Sequence, residues 1–584
     1  MSSHARFFAV AAALVAVCAV PAPGLRAQAG DPASDLVGLW KAKRRFGPDA
    51  RGPLLVERSG TRYTADLMGF AVPVRVSGGE LSFELPNREG RFRGRVQAGG
   101  AIRGFWFPSG TNSATPVTLS PNGPNRWRGT LVPLDDEQTF WLRVSRRPDG
   151  SLAALLRNLE RDYGGLLGVR GLVRSGSTIG LVGGRDPRDT VVVTGSIDTA
   201  RRVITLVFPN RGGSYDFRRD DDEQSAFYPR GRRPGRYVYR VPPALGDGWA
   251  TASADQVGID RAALERAVQQ VAEMSMDSIN APQVHAILVA RRGRLVLEEY
   301  FHGEHRARLH NERSGSKSVT ATIVCAAMLA GAPLRLSTPV YPVMSGGAFP
   351  PELEPRKRAM TLEHLLTMSS GYFCDDGNEA APGREDGMWN QEEEPDFYRF
   401  TLPLPMAYAP GERAIYCSIN PNLALGMTGR AAGESPYYLF DRLVAAPLGI
   451  RHYAWTTDRA GNPYGGGGMA LTARDFMKFG QLMLDGGTWQ GRRILGRDFV
   501  ARAASPLVKI NGQRGYGLAW WSEDKPYRGR TVRAFAALGN GGQTVTVIPE
   551  LELVIATNGG SYGSRGWRFT GGELITGLIL PAVR

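Results

Sequence analysis

Cysteine is scarce in this chain, four among 584 residues, and neither the cysteines nor the histidines stand at the spacing that a bound metal ion requires. Beyond the N-terminus no run approaches the roughly 18 consecutive apolar residues that span a bilayer, so no integral membrane segment is expected in the mature chain. Stacked-aromatic and other nucleic-acid motifs are missing as well, which leaves nucleic acid out of the expected partners. What is present is the composition of a folded protein, 42% hydrophobic and 22% charged, too apolar for global disorder. The length exceeds one ordinary core and implies roughly two to four domains.

Residues 1–29 read as an export signal. His4 and Arg6 form a short positive region, Phe7 to Val20 an apolar stretch ended by Pro21, and Ala27-Gln28-Ala29 a small-residue cleavage site. Cys18 follows Val17, where a lipid-anchored precursor needs a small residue, so cleavage after Ala29 and a periplasmic or secreted product are expected. Three cysteines then remain, Cys325, Cys374 and Cys417. An oxidising compartment permits one bridge and leaves one thiol over. The formal charge is +15, and roughly +11 of it falls on residues 31–250. Interspersed Asp and Glu make genome composition the simpler source of this arginine, and a contact with an envelope polymer through the basic N-terminal region the functional alternative.

Residues 30–220 carry short period-two strands between turns, among them Phe92-Arg93-Gly94-Arg95-Val96, Ile102-Arg103-Gly104-Phe105-Trp106-Phe107 and Val191-Val192-Val193-Thr194. Their spacing is that of an all-β, barrel- or sandwich-like region. Leu39-Trp40 and Trp127-Arg128-Gly129 each open a stretch of strand pattern, which suggests two similar barrel-like units in tandem. Residues 221–247 have the acidic, basic and Pro-rich mixture of a linker. On this reading the β region is an accessory, and deleting residues 30–245 is expected to leave catalysis intact.

From residue 248 the pattern changes. Asp260-Arg261 starts a helix, two strands form a hairpin around Arg291-Arg292-Gly293-Arg294, and Ser314-Gly315-Ser316-Lys317 precedes the apolar run Ser318 to Leu329. If that run is helical, Ser314 lies on its first turn with Lys317 one turn further along the same face. A desolvated amine can stay neutral and take a serine's proton, and the helix start favours the negative charge of acyl transfer. Further segments follow in order: Thr361 to Gly371, Pro410-Gly411-Glu412-Arg413-Ala414-Ile415-Tyr416-Cys417-Ser418-Ile419-Asn420, Tyr464-Gly465-Gly466-Gly467-Gly468-Met469, Tyr516 to Trp521, and Ala537-Leu538-Gly539-Asn540-Gly541-Gly542-Gln543. With these in place, residues 248–584 resemble the serine β-lactamase and penicillin-binding superfamily, in particular the class C-like branch that includes esterases, D-alanyl-D-alanine carboxypeptidases and aminohexanoate-oligomer hydrolases.

The resemblance implies an α/β (α+β) domain in which an antiparallel sheet is flanked by helices and joined by an all-helical part. It implies Ser314 as nucleophile, Lys317 as its proton acceptor, and Tyr416 as a phenol whose pKa is lowered by the lysine and which relays protons. Ser418, the third residue of the Y-x-S triplet, would bond substrate or Lys317, and Asn420 would replace an amide usual at that place. The third motif departs from the family, because Ala537-Leu538-Gly539 has no cation to meet a substrate carboxylate. Gly539 and Gly541 would let backbone approach the scissile carbonyl, and the Asn540 N–H would complete an oxyanion hole with that of Ser314. His364, on a short helix capped by Thr361, reads as structural. Glu385 and Asp386 read as cleft wall, and Trp389, Tyr398 and Trp520 as pocket lining or core. Cys374 and Cys417 both flank candidate site segments and are expected to be bridged, while Cys325 is expected as a buried thiol.

The reading is an exported serine hydrolase of a small-molecule ester or amide, without cofactor or metal. Its alternatives are a β-lactamase or D-alanyl-D-alanine carboxypeptidase-like enzyme, and a non-catalytic envelope-binding protein on a penicillin-binding fold.

Overall fold

The computed structural model describes residues 35–584 apart from 162–164, 166 and 185–189; the expected export signal lies outside them. Two eight-stranded antiparallel barrels precede the helical half. In the first, strands Gly52–Ser59, Arg62–Leu67, Phe70–Ser77, Glu80–Glu84, Gly90–Val96, Ile102–Pro108, Ser113–Pro121 and Arg126–Leu131 pair in chain order, and the last closes onto the first with Leu54 opposite Gly129. In the second, Gly38–Gly47 pairs with Asp136–Arg146, and the chain winds on through Leu152–Asn158, Gly171–Ser175, Thr178–Gly183, Thr190–Asp198 and Val203–Phe208 to Gly213–Arg219, which returns to Gly38–Gly47. Each interior is filled by the inward residues of alternating strands, as barrels of this size require: Leu54, Val56, Phe92 and Trp106 in one, Trp40, Phe140, Leu142 and Phe217 in the other.

The two units are interleaved rather than tandem. Trp40 belongs to the second barrel, Trp127 to the last strand of the first, and the whole first barrel is inserted between Gly47 and Asp136, which face each other in the ladder. Period-two patterning says which side chains point inward but not which strand is the neighbour, so the two tryptophans mark strands and not repeat starts.

The helical half is built on a nine-stranded sheet in the order Ala250–Thr251, Arg294–Tyr300, Val284–Arg291, Leu553–Gly559, Gln543–Ile548, Arg530–Gly539, Trp521–Tyr527, Arg514–Tyr516 and Val508–Ile510. All pairings are antiparallel except that of Ala250–Thr251. The central strands are buried on both faces and carry continuous apolar runs. Ile287, Val289 and Ile555 meet helix Arg261–Ala272 and the C-terminal segment Phe569–Ile579 on one side. Leu288, Val545 and Val554 meet helices Ser316–Leu329 and Ala473–Leu484 on the other. Ser316–Leu329 is buried almost all round, because Ile419–Ala432 and the helical part cover its far side, and the hydroxyls of Ser318, Thr320 and Thr322 are satisfied by backbone carbonyls.

Among the described residues, contacts cross from the barrels to the helical half. Strand Ser113–Pro121 of the first barrel pairs with Ala454–Thr456, which pairs with Met469–Leu471, which pairs with His310–Asn311 just before Ser314. Phe105 and Phe107 lie 4.9 and 5.6 Å from the ring of Tyr437, and Arg103 Nε donates to Asp441 Oδ2 at 2.9 Å. Residues 221–247 are strapped down: Arg230 and Tyr237 bond Glu299, and the Tyr239 hydroxyl donates to the Val296 carbonyl at 2.8 Å. The linker reading weighed the Arg and Pro content, whereas tyrosines two apart on an extended chain face the same side and anchor it.

Candidate active site

The chain enters the site through a 3-10 turn, Arg313–Gly315, continuous with helix Ser316–Leu329. Ser314 is therefore on the lead-in turn and not on the α-helix itself, with Arg313 at φ +50° to swing the chain inward. A 3-10 turn brings residues three apart into line, and Lys317 Nζ lies 2.9 Å from Ser314 Oγ. Lys317 is 1% exposed. It donates to the Gly466 carbonyl and its Nζ stands 4.9 Å from the centre of the Tyr416 ring. Burial lowers its pKa, against the pull of the Glu385 and Asp376 carboxylates. A neutral amine with one N–H on Gly466 keeps its lone pair for the Ser314 proton.

Tyr416 stacks on Trp521 at 5.6 Å, and its hydroxyl is hydrogen-bonded to Ser314. Its pKa is raised, the reverse of the expected direction. Burial raises it most, the bond to Ser314 opposes, and Asp376 and Glu385 raise it further. The lysine expected to lower it is itself buried and driven toward neutrality, so the carboxylates decide the field at the phenol.

The remaining predicted residues divide. Gly539 ends its strand against the Ser314 turn; a Cβ there would stand 2.3 Å from the Glu312 carbonyl, so only glycine permits the approach. Asn540 is next in the chain, with its carbonyl accepting from Gln543 Nε2 at 3.0 Å. Gly541, at φ +97°, turns the backbone toward Ser561, whose N–H donates to the Gly541 carbonyl at 3.1 Å. Ser418 bonds neither substrate space nor Lys317 as expected. Fully buried, it gives both its N–H and its O–H to Asp376 Oδ2, at 2.9 and 2.6 Å. Asn420 is buried on Ile419–Ala432 and lines a small cavity with Met368, Tyr372 and Ile415.

Trp520 and Tyr398 are core residues, the first against Phe535 and the second donating to the Pro463 carbonyl. Trp389 stands edge-on to Tyr464. His364 caps its own helix, its Nδ1 accepting from the Thr361 N–H at 3.2 Å. Sequence reasoning missed Asp376, which the Cys374 spacing could have flagged, and gave Glu385 only a wall. Glu385 accepts from the Tyr464 hydroxyl and its N–H donates to Asp376 Oδ1 at 3.0 Å.

Cys374 and Cys417 form the expected bridge and Cys325 is a buried free thiol. Among the described residues, potential metal ligands converge only at Cys374, Asp376 and Cys417, and both sulfurs are occupied by the bridge. The bridge closes a 43-residue separation, which chain entropy values at about 4 kcal/mol. Because Cys417 sits between Tyr416 and Ser418, reduction is expected to lower the thermal midpoint and to cut turnover about tenfold or more. Wild-type turnover and midpoint for the Cys374→Ser, Cys417→Ser double variant would contradict this.

The Beta-lactamase family model matches residues 268–559, half of the chain. A 6-aminohexanoate-dimer hydrolase of Paenarthrobacter ureafaciens is 25% identical over 288 residues, 46% of this chain and 71% of that one. Among solved structures, a putative 6-aminohexanoate-dimer hydrolase from Bacillus anthracis is 20% identical, covering 50% of this chain and 78% of that one at a TM-score of 0.43. A family VIII carboxylesterase is 16% identical, covering 54% and 97% at 0.41. With a sheet flanked by helices and the family match spanning the hairpin, the Ser314 turn and the Gly539 strand, the chain belongs to the serine beta-lactamase-like superfamily.

Proposed function

We propose that the protein is a serine hydrolase that cleaves an ester or amide through an acyl-Ser314 intermediate. The observation that carries this is the Ser314 hydroxyl held between the Lys317 amine and the Tyr416 phenol. Ser314 Oγ attacks the acyl carbon while Lys317 takes its proton. Backbone N–H groups of Ser314 and Asn540 receive the oxyanion, donors of a kind whose single loss costs about 3 to 4 kcal/mol. Tyr416, held protonated, gives its proton to the leaving group and recovers one from Lys317. Water then enters by the same route and releases the acid.

An uncharged ester or amide is favoured over a β-lactam or a peptidoglycan peptide because Ala537-Leu538-Gly539 offers no cation for a carboxylate. A binding protein on this fold would have no use for a buried lysine beside its serine. Export to the periplasm or medium is part of the same proposal, supported by the Met1–Ala29 pattern and by a bridge that persists in oxidising compartments. The test is intact mass after incubation with an activated ester and, separately, a β-lactam, with peptide mapping. An adduct on Ser314 from the ester alone is expected. Adducts from both would shift the reading to a penicillin-recognising enzyme, and none from either, in folded protein, would overturn it.

A further inference from the structure

One carboxylate, Asp376, reaches three parts of the site at once. Its Oδ2 accepts the Ser418 N–H and O–H at 2.9 and 2.6 Å, its Oδ1 accepts the Glu385 N–H at 3.0 Å, and its own N–H donates to the Tyr416 carbonyl at 3.1 Å. The peptide is thus clamped on both sides of Cys417, while the bridge ties the same loop to it two residues before Asp376. An acceptor that serves two donors from one residue fixes the residue's backbone and its rotamer together, and here that residue is two positions from the phenol that contacts Ser314.

The second role of Asp376 is electrostatic. Lys317 is faced by the Ser314 hydroxyl, the ring of Tyr416, the Gly466 carbonyl, and the carboxylates of Glu385 and Asp376. Asp376 is faced by Glu385, Lys317 and Ser418; burial and Glu385 push its carboxyl up, to about 6, while Lys317 and Ser418 hold it down. Tyr464 binds the far carboxylate, Glu385. A negative charge beside a buried amine favours the ammonium, which cannot serve as a base.

We propose that Asp376 is a positioning residue for acyl transfer: it holds the Tyr416–Ser418 peptide in register with Ser314, with its charge, beside that of Glu385, directed at the Lys317 amine. This rests on the reading of Ser314, Lys317 and Tyr416 as the acyl-transfer centre. Turnover rises with pH as Lys317 loses its proton, so removing the Asp376 charge moves that rising limb to lower pH.

The experiment is the pH profile of kcat and KM for a neutral ester in wild type, Asp376→Asn, Asp376→Glu and Ser418→Ala, with thermal midpoints as the fold control and fluorophosphonate labelling of Ser314 alongside. Asp376→Asn is expected to lower kcat about tenfold and to move the rising limb about one pH unit toward acid, with KM little changed. Asp376→Glu keeps the charge, so it lowers kcat with the limb at its wild-type pH, and Ser418→Ala, which takes only one hydroxyl from the carboxylate, moves the limb less than Asp376→Asn does. A limb that stays in place in Asp376→Asn, or one that moves equally in Ser418→Ala, overturns the inference. If Asp376→Asn does not fold, a limb displaced in Asp376→Glu does so. Wild-type protein unlabelled at Ser314 would instead remove the underlying mechanism, a failure distinct from a labelled enzyme with an immobile limb.

Discussion

Replacing Lys317 with methionine is expected to lower ester turnover about 10³-fold or more while the chain melts at or above its wild-type midpoint. The amine is 1% exposed on a helix buried almost all round, and taking an ammonium or an amine out of water opposes folding. An unbranched apolar side chain of similar length removes that cost and leaves the surrounding packing in place. What it also removes is the acceptor 2.9 Å from Ser314 Oγ, and a serine hydroxyl without a base is a weak nucleophile. Ser314→Ala is expected to lose as much or more. Residues that act as one unit are grossly non-additive, so the double variant should be no worse than Ser314→Ala alone. Steady-state hydrolysis of an activated ester with melting curves checks all three. Turnover near wild type in Lys317→Met would remove the lysine from the mechanism, and full activity in Ser314→Ala would remove the mechanism itself.

The Ser314 and Lys317 pair was legible because its geometry is local: three residues, one helical turn, one apolar run. The strands of the first half were legible for the same reason, since inward and outward residues alternate within each. What could not be read was anything set by a partner remote in sequence. Trp40 pairs across to Leu142 and not toward the strands that follow it directly. The field at Tyr416 comes from Asp376 and Glu385, carried by a loop more than thirty residues upstream. Ser418 was assigned to Lys317 or substrate by its place in a triplet, yet a buried hydroxyl bonds the nearest strong acceptor, and Asp376 is that acceptor. Nor does the composition of residues 221–247 say what Tyr237 and Tyr239 touch.

Excising the first barrel is expected to abolish ester turnover and to leave an insoluble or unfolded chain, even though every residue of the Ser314 site is retained. Gly47 and Asp136 are partners in the ladder, so the chain can be rejoined there by a short turn with the second barrel still closed. The loss then reports on the first barrel alone. Its removal uncovers the rings of Tyr437, Tyr438 and Trp455, all buried now, at about 1.5 to 3 kcal/mol each. It also strips Asp441 of Arg103 and leaves Ala454–Thr456 as a bare sheet edge. The sum approaches the roughly 5 to 15 kcal/mol by which whole domains are stable. The geometric consequence is more specific, because Ala454–Thr456 anchors Met469–Leu471, and that strand fixes His310–Asn311 and, through the Met469 carbonyl, the N–H of Glu312 two residues before the nucleophile. Soluble expression, melting and turnover of the excised chain decide the matter. A soluble product with wild-type turnover would return the barrel to the status of an appendage, whereas a soluble, folded product without turnover would place its role in holding the Ser314 turn.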